Sequence, residues 1–355
     1  MKLLYLTVPL HLSRPSSAQY LHVTKIVESW RKRHSVELWH PRGTMAKLFP
    51  LTAMLRVLKA RAHGADLCYV RSTPRCFLAV AAAVAVGLPV VLEINSTIAV
   101  ERMTWGGGRS IRNLVLSWLE GVVARWAWRV VTISGVMARH IAAMGVARSC
   151  ITVEHNGADL CADQAKYKPP QDDERLRVGY LGASHPWHRV ESLVDLVLVA
   201  TKSGLDVEVH LAGEGHERFR DRLPAELQDR WQPQGVLGRD EVRGFLAGNH
   251  VNVMPHTNEY GSPIKLFEYL EVGVPVAMPD LPVIREVVDD STALLFKNGD
   301  MAELSAKITS LFGTPGAPEE MGAKGRDLIV SRHSWSAAGS RVVTAIEKAW
   351  SSSRA

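Results

Sequence analysis

The segment at residues 261–276 combines a lysine and a glutamate with the signals of a helix start. Ser262 is a residue type that caps helix N-termini, and Pro263 is favoured at the first helical position. Lys265 falls in the first turn, where backbone N–H groups and an ammonium group can neutralise a diphosphate. Glu268 follows on the same face and can accept hydrogen bonds from ribose hydroxyls. The pattern fits an exposed Lys–Glu pair on a capped helix equally well.

No cluster of metal-ligating residues accompanies this helix in the sequence. No Asp-x-Asp pair stands near a predicted strand end, and histidines and cysteines are not grouped at ligand spacing. The four cysteines form no CxxC pair, which is typical of reduced thiols in a cytosolic protein. We therefore expect no metal, no cofactor and a cytoplasmic location. The helix terminus and basic side chains would then stabilise a leaving group.

Apolar runs alternate with helical periodicity along the 355 residues. In the first half, strands are predicted at residues 3–8, 36–39, 67–70, 90–93, 130–133 and 151–154. In the second half, strands are predicted at residues 177–182, 207–212, 236–237, 251–254 and 274–278. Strands that alternate with helices predict parallel sheets, and the chain is too long for one core. The sequence therefore predicts an α/β fold with two Rossmann-like, doubly wound domains and a cleft between them.

A proline-rich, charged segment at residues 167–174 is typical of a domain linker. We accordingly predict domains at residues 1–166 and 167–334, and a C-terminal helix at 335–355 that crosses back to the first domain. The apolar start lacks the cleavage site of a secretory leader, so it is interpreted as a buried strand. The uncharged run at 77–92 is shorter than the roughly 20 residues of a spanning helix and is interpreted as a buried helix and strand.

Positive charge is concentrated in the first half of the chain. Residues 1–165 carry 20 Lys and Arg against 9 Asp and Glu, a net charge of +11, whereas the whole chain has +6. Residues 44–61 mix leucines with basic residues, and residues 102–129 mix tryptophans with arginines. These patterns fit either peripheral contact with an anionic membrane or amphipathic helices packed on their own domain. No nucleic-acid-binding module accompanies the charge.

Several segments occur in the order typical of one enzyme family. They are Ser134 with Gly145 and Asn156-Gly157, Val178-Gly179 with Trp187-His188, Ala212-Gly213-Glu214-Gly215, the helix at 261–276, and Arg285-Glu286 with Gly299-Asp300. In this order they resemble the retaining glycosyltransferases of family 4. The resemblance implies GT-B architecture and a nucleotide-sugar donor. It also implies a sugar-containing or lipid-linked acceptor and retention of the anomeric configuration.

The resemblance places the donor site in the second domain. The implied catalytic residues there are Lys265, Glu268 and His188, and the other implied donor-site residues are Gly182, Arg189, Gly213, Glu214, Tyr260, Gly261, Ser262, Pro263 and Ile264. Tyr260 stands where relatives often have the first glutamate of a spaced pair. Ala183 and His188 stand in place of the usual arginine and lysine. Neutralisation of the diphosphate is therefore expected from Lys265, His188 and Arg189.

The resemblance places the acceptor site in the first domain. The implied residues are Ser16, Ser17, His22, Glu93, Asn95 and Glu101, with Asn95 also a catalytic candidate. The two serines replace glycines of the family's first loop. Glu93 and Asn95 stand at the carboxyl end of a predicted strand, where open α/β sheets bind ligands. A structural histidine and polar residues without a site role fit these positions as well.

The sequence thus predicts a glycosyltransferase that uses a UDP- or GDP-sugar in glycan, glycolipid or natural-product biosynthesis, such as polysaccharide biosynthesis. Two alternatives stay open. A GT-B nucleotide-sugar epimerase or hydrolase would consume the donor without an acceptor. A membrane-associated scaffold that has kept the fold would bind no nucleotide, and the departures at Tyr260 and Ala183 favour it.

Overall fold

The computed structural model describes residues 1–8, 12, 18–41, 46–105, 110–161, 167–171 and 174–354. The chain divides into two compact units. The first unit contains Met1–Asn156 and Trp335–Ala355, and the second contains Gly157–Ser334. Residues 335–355 thus form part of the first unit, although they follow the second unit in the chain.

The division after Asn156 precedes the predicted boundary at residues 166 and 167. The reason is that the segment after it bonds to the second unit. The Ala158 N–H donates to the His333 carbonyl oxygen at 2.9 Å. The Cys161 N–H donates to Glu271 Oε1 at 3.2 Å. The composition of a linker does not reveal such backbone bonds, and the two compact units therefore meet ten residues before the predicted boundary.

The first unit is built on a six-stranded parallel sheet. Its strands are β1 (Lys2–Leu6), β2 (Ser35–Trp39), β3 (Leu67–Arg71), β4 (Val90–Ile94), β5 (Arg129–Thr132) and β6 (Ile151–Val153). They lie in the order β2-β1-β3-β4-β5-β6. Strands β3 and β4 are buried along their whole length, as in sheets covered by helices on both faces.

The helices of the first unit pack in two groups. They are α1 (Ala18–Arg31), α2 (Phe49–Ala62), α3 (Phe77–Ala85), α4 (Ile98–Trp105), α5 (Ile111–Trp126), α6 (Gly135–Ala143) and the C-terminal α13 (Trp335–Ser352). Helix α1 packs against α13, and α3 packs against α2 and α5. The β1-to-β2 and β3-to-β4 connections run in opposite directions across the sheet. Right-handed crossovers therefore place α1 and α3 on opposite faces.

The second unit repeats this architecture. Its strands are β7 (Leu176–Leu181), β8 (Val207–Ala212), β9 (Trp231–Pro233), β10 (Val251–Val253), β11 (Val276–Pro279) and β12 (Leu294–Phe296). Its helices are α7 (Ser192–Lys202), α8 (Glu241–Ala247), α9 (Ile264–Glu271), α10 (Pro282–Arg285), α11 (Met301–Phe312) and α12 (Ala317–Arg332). The sheet order is β12-β11-β10-β7-β8-β9 and all pairs are parallel. The predicted α/β class with two doubly wound sheets is confirmed.

One predicted strand is wrong. Residues 236–237 do not form a strand, and Val236 is 71% exposed. The edge strand is β9 instead, because Trp231 is buried and its indole N–H donates to the His216 carbonyl at 2.9 Å. Gly235 then turns the chain with φ of 70°. Among the described residues, no helix combines the length and hydropathy needed to cross a membrane.

Candidate functional site

The order of the second sheet predicts where a ligand binds. From β7 the chain proceeds to β8 and β9 on one side, whereas β10, β11 and β12 lie on the other side. Ligands of such sheets bind beyond the carboxyl ends of the strands, at the point where the order reverses. The loops that follow β7 and β10 therefore mark the candidate site.

Two glycines bring the loops after β7 and β8 close together. Gly182 and Gly213 have φ of 131° and 138°, in the region that favours glycine. A Cβ on Gly213 would lie 2.2 Å from the carbonyl oxygen of Gly182, so no other residue fits there. His216 Nε2 donates to the same carbonyl oxygen at 2.7 Å and fixes this loop from the other side.

Lys265 lies directly against the first of these loops. A Cβ on Gly182 would be 2.5 Å from Lys265 Nζ. The ammonium group donates to the Tyr180 hydroxyl at 3.0 Å and lies 4.8 Å from the centre of the Tyr180 ring. Burial lowers the pKa of Lys265 to about 7, although Glu268 opposes the shift. The amine is therefore partly neutral at pH 7, and an adjacent anion would restore its charge.

The start of α9 differs by one residue from the prediction. The helix begins at Ile264, and Pro263 rather than Ser262 is its N-cap. Ser262 is buried, and no side chain caps the helix. The predicted serine cap is therefore wrong. Pro263, the residue just before the helix, has an extended backbone and takes the N-cap position itself. The first-turn N–H groups without a side-chain cap are suited to an anionic ligand.

Glu268 occupies the same helix and is held by an arginine. Arg239 Nη1 donates to Glu268 Oε1 at 2.6 Å. The Glu268 side chain is 14% exposed and that of Arg239 is 45% exposed. Burial raises the pKa of the Glu268 carboxyl, whereas Arg239 and Lys265 lower it. The carboxylate is thus aligned by one cation and remains accessible to a second hydrogen-bond donor.

His188 and Arg189 follow β7 in the same loop. His188 is buried, and its Nδ1 lies 3.4 Å from the His256 carbonyl oxygen. Burial, and then the charge of Lys265, lower the pKa of His188 to about 2. With so low a pKa the ring is neutral at pH 7 and can form hydrogen bonds, and the expected role of His188 at a diphosphate stays a prediction. Arg189 is exposed and adopts φ of 43°, a left-handed conformation unusual for a non-glycine residue.

An asparagine that was not predicted shapes the loop before α9. Asn258 Oδ1 accepts from the N–H groups of Tyr260 at 3.2 Å and Gly261 at 2.7 Å. This local turn sets the approach to Pro263, and an asparagine three residues before a glycine in a loop is the signal that could have revealed it. Across the site, the Glu214 carbonyl oxygen accepts from the Ser184 N–H at 3.1 Å. Tyr180, Arg239 and His216 were also missed, because their partners are distant in sequence.

The first unit contains a buried polar cluster around Glu93. The residue is 1% exposed. Its oxygens accept from Arg71 Nη1 at 2.9 Å, Tyr69 Oη at 2.9 Å and Asn95 Nδ2 at 3.0 Å. Burial alone would raise its pKa, but His22 and Arg71 hold the pKa well below its usual range. Protein groups thus occupy its oxygens, and the direct contact between Glu93 and an acceptor stays a prediction.

His22 and Asn95 are the neighbours of this carboxylate. His22 Nε2 lies 3.1 Å from Glu93 Oε1, and its Nδ1 lies 2.9 Å from Asn156 Oδ1. Both ring nitrogens thus face side-chain oxygens, one from Glu93 and one from Asn156. Asn95 Oδ1 is buried and has no hydrogen-bond partner in the described part of the chain. It lines a cavity of 10 Å³ with His22, Glu93 and Trp335.

The remaining acceptor candidates are less informative. Glu101 lies in the first turn of α4 and accepts from Ser96 Oγ at 2.6 Å on the surface. Ser16 and Ser17 lie outside the described residues. Within the described ranges, no group of three His, Cys, Asp or Glu side chains could hold a metal ion. The expectation that the protein needs no metal stays a prediction.

Comparisons with known proteins agree with this architecture. The family model "Glycosyl transferases group 1" matches residues 175–314, and the model "Glycosyl transferase 4-like domain" matches residues 17–157. Sequence comparison finds no relative among curated proteins.

Solved structures share the fold over nearly the whole chain. HepE from Anabaena in complex with UDP is 17% identical, with a TM-score of 0.76 and coverage of 98% of this chain and 100% of that chain. Sucrose-phosphate synthase from Thermosynechococcus elongatus is 14% identical, with a TM-score of 0.74 and coverage of 99% and 100%. The lipopolysaccharide outer core galactosyltransferase WaaB is 14% identical, with a TM-score of 0.71 and coverage of 98% and 99%.

At these identities the structural similarity shows the fold alone. The two family models together cover most of the chain and show its family. The chain is therefore a glycosyltransferase with the GT-B fold and belongs to the group 1 glycosyl transferases of family 4.

Proposed function

We propose that the protein transfers a sugar from a nucleoside diphosphate sugar, with UDP as the favoured nucleotide, to an acceptor hydroxyl with retention of anomeric configuration. The observation that carries the proposal is the position of Lys265 between the start of α9 and Gly182. UDP is favoured because HepE and TarM, which share the fold, have been crystallised with it.

The second unit would bind the donor at the carboxyl edge of its sheet. The diphosphate would accept hydrogen bonds from the first-turn N–H groups of α9 and from Lys265. The glycine at 182 leaves room for the end of the Lys265 side chain, since a Cβ there would lie 2.5 Å from Nζ. Glu268 would accept hydrogen bonds from the ribose, while Arg239 keeps it oriented. Neutral His188 would contribute a hydrogen bond, and Arg189 would supply the mobile positive charge.

The first unit would bind the acceptor. Asn95 is the best candidate there, since Glu93 holds its amide nitrogen and leaves its oxygen without a partner among the described residues. The carboxylate of Glu93 would act only through Asn95 and His22. This division makes Glu93 a positioning residue and Asn95 the group that accepts a hydrogen bond from an acceptor hydroxyl.

Chemistry would then proceed on one face of the sugar. The bond between the anomeric carbon and the diphosphate oxygen breaks, and the acceptor oxygen bonds to that carbon. The departing diphosphate takes the acceptor proton, so no strong protein base is required. Lys265 and the helix terminus stabilise the negative charge that develops on the leaving group. Catalysis would therefore come from positioning and electrostatics, without a metal.

The first test is thermal unfolding with UDP, GDP, ADP and dTDP, with and without magnesium. A ligand that binds only the folded protein raises its unfolding temperature. We expect a shift with UDP that does not require magnesium and is lost in Lys265→Ala and Glu268→Gln. Lys307→Ala and Glu303→Gln are matched controls, since these residues form an exposed Lys–Glu pair in α11 of the same unit.

Transfer itself is tested by incubating the protein with UDP-glucose, with and without candidate acceptors. Release of UDP that depends on an acceptor is the expected result. Release without any acceptor would favour a hydrolase or epimerase. No shift with any nucleotide, together with no UDP release, would refute the proposed function and favour a scaffold.

A further inference from the structure

Helix α2 has two apolar faces. Phe49, Ala53, Val57 and Ala60 form the buried face. A second stripe consists of Leu48, Leu51, Leu55 and Leu58, whose exposed fractions lie between 38% and 60%. With about 100° of rotation per residue, the two stripes point in nearly opposite directions. The leucine stripe therefore faces away from the core of the first unit, where an isolated soluble domain would carry polar residues.

Helix α5 also exposes an apolar face. Ile111, Leu114, Val115 and Trp118 lie at helical spacing and are between 49% and 81% exposed. They share one face of the helix, and Trp126 at its end is also exposed. Large tryptophan and isoleucine side chains exposed together on one helix face mark an interaction surface rather than random surface composition.

The two stripes lie on helices that share a neighbour, α3. Helix α3 packs against both α2 and α5, and its Val84 is exposed as well. Right-handed crossovers place this group on the sheet face opposite to α1 and α13. The exposed apolar residues therefore belong to one side of the first unit, which we call the outer helical surface.

Basic residues border this surface. Lys47 and Lys59 flank the leucine stripe of α2, and Arg61 lies next to them; all three are exposed. The described part of α2 contains no acidic residue. On α5, Arg112 and Arg125 are exposed, whereas Glu120 is half-buried and accepts from the Ile98 N–H. The surface thus joins exposed apolar side chains with positive charge.

We propose that the outer helical surface docks on an anionic lipid membrane, with the leucine stripe of α2 and the apolar face of α5 inserted at the interface. The positive charge of the surface favours a membrane over a second copy of the chain as its binding partner. A second copy of the chain would bring two basic surfaces together, whereas an anionic bilayer neutralises each of them. Helices with apolar and basic residues in this arrangement lie in the plane of the interface. This inference is independent of the donor and of the proposed reaction.

The test is sedimentation of the full chain with vesicles. Vesicles of phosphatidylcholine with phosphatidylglycerol should bind the protein, and vesicles of phosphatidylcholine alone should bind it much more weakly. Added sodium chloride should weaken the binding. Lys47→Gln with Lys59→Gln should reduce the partition coefficient by about fivefold for each charge removed. Leu51→Glu with Leu55→Glu should reduce it by at least about tenfold, because two inserted leucines are lost.

Matched controls lie in the second unit. Val330→Glu changes an exposed apolar residue and Lys202→Gln an exposed basic residue, both outside the surface. Both controls should bind vesicles like the parent protein. Unchanged circular dichroism and an unchanged unfolding temperature in the α2 variants would show that they fold. Equal binding to both kinds of vesicle, or full binding by the leucine variant, would overturn the proposal. So would a parent dimer that the leucine variant converts to a monomer.

Discussion

The pKa of Lys265 yields the sharpest prediction, since the donor diphosphate should bind only the protonated amine. With a pKa of about 7, half of the amine is charged at pH 7. At pH 8 the charged fraction falls to roughly one part in eleven. Compared with its value below pH 6, the Kd for UDP-glucose should therefore be about twofold higher at pH 7 and about tenfold higher at pH 8.

The assay is titration calorimetry with UDP-glucose from about pH 6 to pH 9, in buffers of different ionisation enthalpy. UDP-glucose is preferred to UDP because the terminal phosphate of a free nucleotide titrates near the same pH. Binding should take up protons above pH 7. Lys265→Gln should bind more weakly, without this pH dependence, while Lys307→Gln should keep it. A flat Kd in the parent protein, or the same slope in Lys265→Gln, would refute the reasoning.

Four further outcomes are expected. Lys265→Met should raise the unfolding temperature near pH 6 while abolishing transfer, since a buried charge is removed; a lower temperature would contradict the burial argument. Arg239→Gln should make the KM for donor rise as pH falls, because the pKa of Glu268 loses its main opposing cation, and an unchanged pH profile would exclude this role. Glu93→Gln should cost about 3 kcal/mol in urea unfolding at pH 7, because the buried Arg71 guanidinium loses its partner; the control Glu28→Gln should cost almost nothing. Arg189→Gly should stabilise the fold by about 1 kcal/mol in the same assay, and a loss of stability would mean that the left-handed conformation is not strained.

The depressed pKa of Glu93 also fixes the sign of its pH dependence. A carboxyl group whose folded-state pKa is lowered contributes stability above its ordinary pKa and loses it as pH falls. The stabilisation from Glu93 should thus persist from neutral pH down to the usual range of a glutamate, and then decline in stronger acid. Urea unfolding of the parent and of Glu93→Gln should converge there.

The alternation of apolar runs and helical periods predicted all six strands of the first sheet and four of the six strands of the second, because buried parallel strands read as continuous apolar runs. It failed at residues 236–237, where a short apolar pair is exposed and a tryptophan supplies the edge strand. It also placed the N-cap of α9 one residue early. Strand β12, which is three residues long, was not predicted at all. All three errors arise in short elements, where tertiary contacts of single residues outweigh local pattern.

The candidate sites were only partly predictable for a different reason. Lys265 and Glu268 could be found because they share one helix and follow recognisable cap residues. Arg239, Tyr180 and Asn258 could not, since nothing in their local sequence marks them as partners. The cluster of His22, Glu93 and Asn156 joins three separate parts of the chain. Such contacts exist only after the sheet has formed.

The directions of the pKa shifts distinguish the candidate donor site of the second unit from the Glu93 cluster of the first unit. In the second unit, the charged forms of Lys265 and Glu268 are both destabilised by burial. A bound diphosphate and ribose would compensate this cost, so these groups gain most when a ligand arrives. In the first unit, the charged form of Glu93 is stabilised by protein groups already in place.

The Glu93 carboxylate already has five protein donors. A hydrogen bond from the acceptor substrate would add little stabilisation, and displacement of the protein donors would cost much. Recognition in the first unit should therefore fall to the atom at the margin of the cluster that has no hydrogen-bond partner among the described residues, Asn95 Oδ1. Asn95→Asp would place a second negative charge beside Glu93 and should disturb the cluster. Asn95→Ala should spare stability and raise the KM for acceptor without altering the KM for donor. If both KM values rise together in Asn95→Ala, the division of labour between the units is wrong.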